Sequence, residues 1–145
     1  MANVQDVAKY FISLSKESSP YAITPLKLQK LLYYAQGFYL MDYDQPLFKE
    51  NLLAWDHGPV NYDVYIEYKD HKWNTIPNKP FDSNGKLKEK ERSVIDEVWK
   101  EFGDLDGKTL EELTHQEDPW LFTDKDKVID IKLIGDYFKH QYLYV

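Results

Sequence analysis

One stretch constrains the fold more than any other: Thr24-Pro25-Leu26-Lys27-Leu28-Gln29-Lys30-Leu31-Leu32-Tyr33-Tyr34-Ala35-Gln36-Gly37-Phe38-Tyr39. Thr24 suits a helix N-cap, because its hydroxyl can accept from the first free amides. Pro25 suits the first helical position, where its missing N–H costs nothing. Leu28, Leu31, Leu32, Ala35, Phe38 and Tyr39 then recur at steps of three and four, the spacing of a helix face. Leu26, Tyr33 and Tyr34 put large apolar groups on other sides. A helix that is apolar nearly all round is buried, so this one is expected to be central, with the rest of the chain packed around it. Gly37 inside it costs about 1 kcal/mol relative to Ala in helix propensity. A close helix crossing is the expected reason for its presence.

The remaining segments read mostly as helices too. Val4, Val7, Ala8, Phe11 and Ile12 line one face from about Asn3 to Ser15, and Ser18-Ser19-Pro20 breaks that helix. Asn61 can cap a helix through Val64, Tyr65 and Tyr68. Leu87, Val94, Ile95, Val98, Trp99 and Phe102 form a strong stripe that Gly103 ends. Thr109-Leu110-Glu111-Glu112 matches a capping box for a short helix to about Gln116, stopped by Asp118-Pro119. Asp130 can cap a last helix carrying Ile131, Ile134, Phe138 and Tyr142. Leu52–Trp55 reads as a short strand or a helical turn ended by Gly58-Pro59, and His71 to Gly85 as a loop. Trp73–Ile76 is a candidate strand partner for the segment around Leu52. No repeat or linker divides the chain. Residues 1–145 therefore read as a single, mainly α domain of about five to six helices, with at most a small β-hairpin.

Composition bounds the function. A chain of 145 residues can bury roughly 68–70% of its unfolded surface, so a core needs no staples. With no Cys there is no disulfide, thiolate zinc site or cysteine nucleophile. The first residues lack a signal-peptide pattern and no apolar run reaches membrane-spanning length, so a cytoplasmic protein without membrane partners is expected. The net charge of −7 argues against nonspecific binding to nucleic acid. The Lys86–Arg92 run is diluted by acids and reads as a solvated helix face.

Chemical constellations are incomplete. His115-Gln116-Glu117 has the His-x-Glu spacing of zinc nucleobase deaminases, but the Pro-Cys-x-x-Cys that would supply the other ligands is missing. Asp56-His57 lacks a Gly-x-Ser-x-Gly nucleophile. The four His, at 57, 71, 115 and 140, share no ligand spacing, and no glycine-rich phosphate loop exists. No catalytic residue, metal or cofactor is assigned. An enzyme, were this one, would have to use His57 or His115. Two segments stand out instead: Ala54 to Tyr65 and Leu113 to Trp120. Each sets an aromatic anchor, a His and an acid around a proline turn, the make-up of a binding surface. Trp55, Asp56, His57, Tyr62, Tyr65, Thr114, His115, Glu117 and Trp120 are the candidate partner-binding residues. The alternative is that both Trp are core plugs and the polar atoms cap helix ends. The two segments are expected to lie together, and Asp56 and Glu117 to tolerate charge reversal without harm to the fold.

These residues also carry a resemblance. Ile23 through Gly37 resembles the opening signature of the Panacea (SocA-like) antitoxin domain. Ala54-Trp55 with Gly58-Pro59-Val60 and Tyr65 resembles its second block. Leu110, Leu113-Thr114-His115, Glu117 and Pro119-Trp120 resemble its third, and Ile131, Ile134 and Tyr137-Phe138 its terminal helix. The blocks run in order over roughly residues 3 to 140. The resemblance implies a mainly helical protein of bacteria, phages and mobile elements, some described only as phage-associated. It implies an antitoxin that neutralises a cognate protein toxin by direct binding in a toxin–antitoxin system. It also implies, as an alternative, a proteolytic adaptor that hands its partner to a Clp-type protease. It supplies no catalytic residues.

Overall fold

The computed structural model describes residues 1–143. In chain order the elements are α1 (Val4–Leu14), α2 (Pro25–Tyr43), β1 (Leu53–Trp55), β2 (Gly58–Val60), α3 (Tyr62–Tyr68), a 3-10 turn (Lys69–His71), α4 (Glu89–Phe102), α5 (Gly107–Thr114), α6 (Asp118–Leu121), α7 (Ile131–Phe138) and a π-helical turn (Lys139–Leu143). The domain is mainly α with one small hairpin, as the sequence predicts.

Helix α2 is the axis. Thr24 Oγ1 accepts from the Lys27 amide at 3.2 Å, and Pro25 opens the helix. Every residue from Lys27 to Leu40 is buried. Helices α1, α4, α5 and α7 all pack on it. The crossing expected at Gly37 is real: a Cβ built there would lie 2.3 Å from Phe138 Cζ of α7.

A helix buried all round must also bury its polar side chains, and such groups need partners. On α2 they clamp the backbone of irregular segments. Lys27 Nζ donates to the carbonyls of Pro20 and Ala22, both at 3.0 Å, and of Gly103 at 2.6 Å. Burial lowers its pKa to about 8. Gln36 donates to the Phe48 carbonyl at 2.8 Å and accepts from the Leu47 amide at 2.7 Å. The fold therefore organises its loops from the core outward.

Three local expectations are corrected. The hairpin joins β1 to β2, with Leu53 opposite Val60 and Trp55 opposite Gly58, and does not use Trp73–Ile76. A two-residue turn costs less chain entropy to close than the 17-residue loop between Trp55 and Trp73. The Ile76 amide donates instead to the Ile23 carbonyl at 2.7 Å. The outer edge of β1 is covered by the segment 126–129, through Ala54 N to Lys127 O at 2.9 Å and Ile129 N to Leu52 O at 2.8 Å. Helix α5 is capped by Asp106, whose carboxylate accepts from the Thr109 amide at 2.8 Å, so Thr109 lies inside the helix. Helix α5 ends at Thr114, short of Gln116 and ahead of Asp118-Pro119, and Pro119 opens the single turn of α6. The caps by Asn61 on α3 and by Asp130 on α7 are as expected.

Candidate functional site

The β1–β2 turn is built from below. Gln29 of α2 forms a paired amide contact with Asn61, accepting from its N–H at 2.8 Å and donating to its carbonyl at 3.1 Å. The next residue, Lys30, donates its Nζ to the Pro59 carbonyl at 2.7 Å. Asn61 then caps α3 through Val64 N at 3.0 Å. Gly58 has φ +106°, and a Cβ there would lie 2.7 Å from Thr114 Oγ1 and 2.9 Å from Lys30 Cε. Only glycine fits this turn, on conformation and on space. The outcome is a rigid platform carrying Asp56 and His57 at its tip.

His57 is tethered by its inner nitrogen: Nδ1 lies 3.0 Å from Glu111 Oε1 of α5. A carboxylate only accepts, so Nδ1 carries the proton, and in the neutral ring Nε2 is left as the acceptor. The His57 side chain is 76% exposed and that of Glu111 only 11%. Asp56, also exposed, pairs with Lys125 at 3.2 Å.

The two segments singled out in the sequence do meet. Trp120 Nε1 donates to the Trp55 carbonyl at 2.7 Å, and His115 stacks on Trp120 with ring centroids 4.1 Å apart. Asp56, His57, Tyr62 and Tyr65 are exposed. Trp55, His115 and Trp120 are half-buried, and Thr114 and Glu117 are buried. Trp55 meets Tyr65 edge-on at 5.0 Å and Tyr62 at 6.2 Å.

Glu117 corrects an expectation. Its carboxylate accepts from Tyr33 Oη and Tyr34 Oη, each at 2.9 Å, with Tyr142 Oη 3.5 Å away. It anchors the interior and presents no charge to a partner. Reversal at this position therefore cannot spare the fold. Thr114 is likewise internal, its hydroxyl donating to the Glu111 carbonyl at 2.8 Å.

Other residues of the region were not among the sequence candidates. Ile66 of α3 is 44% exposed and Trp73, just beyond the 3-10 turn, is 80% exposed. Lys30 and Glu111 support the turn from beneath. A cation inside a helix apolar on all sides was the available signal for Lys30, since such a group must be buried with a carbonyl or carboxylate.

Lys30 yields a pH prediction. It is fully buried, and burial lowers its pKa to about 7. The unfolded lysine keeps its proton up to about pH 10.5, so above pH 7 the unfolded state binds more protons and stability rises with pH. The slope for one fully linked group is about 1.36 kcal/mol per pH unit, or about 2 kcal/mol between pH 7 and 9. Urea unfolding across that range is expected to show the rise in wild type and a markedly flatter curve in Lys30→Met. Parallel curves would remove Lys30 from this role.

Among the described residues, no helix is long and apolar enough to cross a membrane, and no group of three or more His, Asp or Glu is placed to hold a metal. The site lies within a family match. The profile of the family described as "Antitoxin SocA-like, Panacea domain" matches residues 28–121, well over half of the chain. A curated protein named Antitoxin SocA, from Caulobacter vibrioides (strain NA1000 / CB15N), is 49% identical over 43 residues, which are 30% of this chain and 23% of that protein. The match thus spans about a quarter of the length of that relative. No solved structure matches. The match from Leu28 to Leu121 takes in the buried α2 motif, the Asp56-His57 turn and the Glu117 anchor, and by it the chain belongs to the SocA-like Panacea antitoxin family.

Proposed function

We propose that this chain is an antitoxin that neutralises a protein toxin by direct binding, without catalysis of its own. The observation that carries this is the outer face of α3. This seven-residue helix buries Val64 but leaves Tyr62 53%, Tyr65 39% and Ile66 44% exposed, with Trp73 80% exposed close after it in the chain. Large apolar groups gathered on a rigid surface mark protein interaction sites. Trp55, Asp56 and His57 on the hairpin adjoin this face, and Trp120 braces the hairpin through the Trp55 carbonyl. The net charge of −7 favours encounter with a partner of basic overall charge. Membership of an antitoxin family supports the same reading.

The test is rescue of cells that express the protein encoded beside this chain. Tyr62→Ala and Ile66→Asp are exposed changes and are expected to melt like wild type. Loss of an interface anchor costs about 2–4 kcal/mol, which weakens binding about 30-fold to nearly 1000-fold. Both variants are therefore expected to lose rescue, whereas Lys88→Glu, at the N-cap of α4 and outside this face, keeps it. Full rescue by both variants would place the contact elsewhere. Purified protein is also expected to show no turnover on esters, nucleotides or nucleic acids, with or without divalent metals. A turnover abolished by His57→Ala with the fold intact would replace this function with an enzymatic one.

A further inference from the structure

A groove of about 270 Å³ runs between the start of α2 and the inner flank of α3. Leu26, Trp55, Val64, Tyr65 and Tyr68 give it an apolar lining. Its charged or chargeable lining groups are Lys69, Lys72 and His57, and no Asp or Glu lines it. That is unusual in a chain with 25 acids against 18 Lys and Arg. Lys69 and Lys72 are exposed and join no ion pair among the described residues. Glu111, which holds His57, is nearly buried behind the ring. The volume falls just below the roughly 300–1,000 Å³ of sites for drug-sized ligands. It suits one or two inserted side chains better than a cofactor.

We infer that this groove receives a large apolar side chain from an acidic segment of the partner protein, with Lys69 and Lys72 engaging the flanking carboxylates. The inference rests on the partner-binding function above and adds the chemistry of the inserted segment. It separates two scales of charge. The whole-chain charge acts over distance on the whole partner, and the local lysines select what enters the groove. Trp55, Tyr65 and Tyr68 supply broad, stiff contact area, which favours Leu, Phe or Trp at the inserted position.

The experiment uses two fluorescein-labelled peptides, Glu-Asp-Leu-Phe-Glu-Asp and Lys-Arg-Leu-Phe-Lys-Arg, titrated with the full chain and followed by anisotropy. The acidic peptide is expected to bind at least about tenfold more tightly than the basic one, an easily resolved ratio. The Lys69→Glu/Lys72→Glu double variant is expected to melt like wild type and to reverse that preference. Replacing Leu-Phe by Ser-Ser in the acidic peptide is expected to cost at least about tenfold more. Equal affinity for the two charged peptides overturns the inference, as does tighter binding of the basic one. So does binding of the acidic peptide that survives the Ser-Ser change, or no binding of it at about 1 mM. These outcomes leave the rescue experiment untouched, so the groove and the neutralising function fail separately.

Discussion

Gly37→Leu is expected to lower the melting midpoint by about 10–15 °C or to abolish folding. The helix-propensity scale points the other way, since Gly to Leu in a helix interior is worth close to 1 kcal/mol in favour of the change. Packing decides the sign. The Cβ alone would stand 2.3 Å from Phe138 Cζ and 2.4 Å from both Cε atoms. The ring cannot step aside. It is fully buried, with Tyr33 at 5.4 Å, Tyr34 at 5.9 Å, Phe38 at 5.5 Å and Tyr142 at 5.3 Å between centroids. Helix α7 would have to lift from α2. Overpacking typically costs about 1–3 kcal/mol and here should reach the top of that range, which is about 10–15 °C for a domain of this size. Gly37→Ala should therefore also destabilise, despite its better propensity. Phe138→Ala alone should cost about 3–5 kcal/mol. Adding Gly37→Leu to it should cost less than Gly37→Leu alone, because the obstructing ring is gone. An unchanged midpoint for Gly37→Leu, or strict additivity in the pair, would show that the two residues do not meet as described.

Much of the architecture follows from local sequence because α2 is so extreme. An apolar run on all sides leaves one place for a helix, and Thr24, Asn61 and Asp130 mark helix starts through their own side-chain chemistry. What was illegible depends on contacts distant in sequence. The hairpin partner was missed because Asp56-His57 is not a typical hairpin turn; the residue that permits it is Gly58, just after it, where the positive φ and the crowding by Lys30 and Thr114 admit only glycine. The exposed residues Asp56, His57, Tyr62 and Tyr65, and the half-buried Trp55 beside them, were legible as one cluster because they are neighbours along the chain. Glu117 was misplaced on the surface because its partners, Tyr33 and Tyr34, lie 84 and 83 residues away. An acid beside a proline turn ordinarily faces water, and only the paired tyrosines in α2 reverse that. Ile66 escaped notice because an apolar residue in an amphipathic helix reads as core, and Trp73 because it reads as part of a strand paired with the segment around Leu52; nothing local shows that no other element covers them.

Glu117→Lys is expected to unfold the protein, with a cost of about 3–5 kcal/mol or more. The substitution removes the acceptor of two buried hydroxyls and puts a cation in its place. Breaking a buried charged network by removing one member carries a cost of that size. Glu117→Gln keeps one carbonyl acceptor and should cost less, about 1–2 kcal/mol near pH 7. Acidity separates the two states of the wild-type residue. Burial raises the Glu117 pKa to about 7, against the opposing pull of the tyrosine hydrogen bonds. Between about pH 4.5 and 7 the native state therefore holds a proton that the unfolded chain has released. Stability from this group is complete below pH 4.5 and is lost as pH rises through 7. The shift corresponds to about 3 kcal/mol. Glu117→Gln cannot titrate, so the gap between wild type and this variant should widen by about that amount from pH 7 down to pH 4.5. Urea unfolding of both proteins at matched pH measures the gap directly. A constant gap would mean that the carboxylate is solvated, and a gap that narrows toward acid would mean that the tyrosine hydrogen bonds outweigh burial. Any loss of partner rescue by Glu117→Lys must accordingly be read against its melting curve. Tyr62→Ala and Ile66→Asp, which leave the interior alone, report on the partner surface itself.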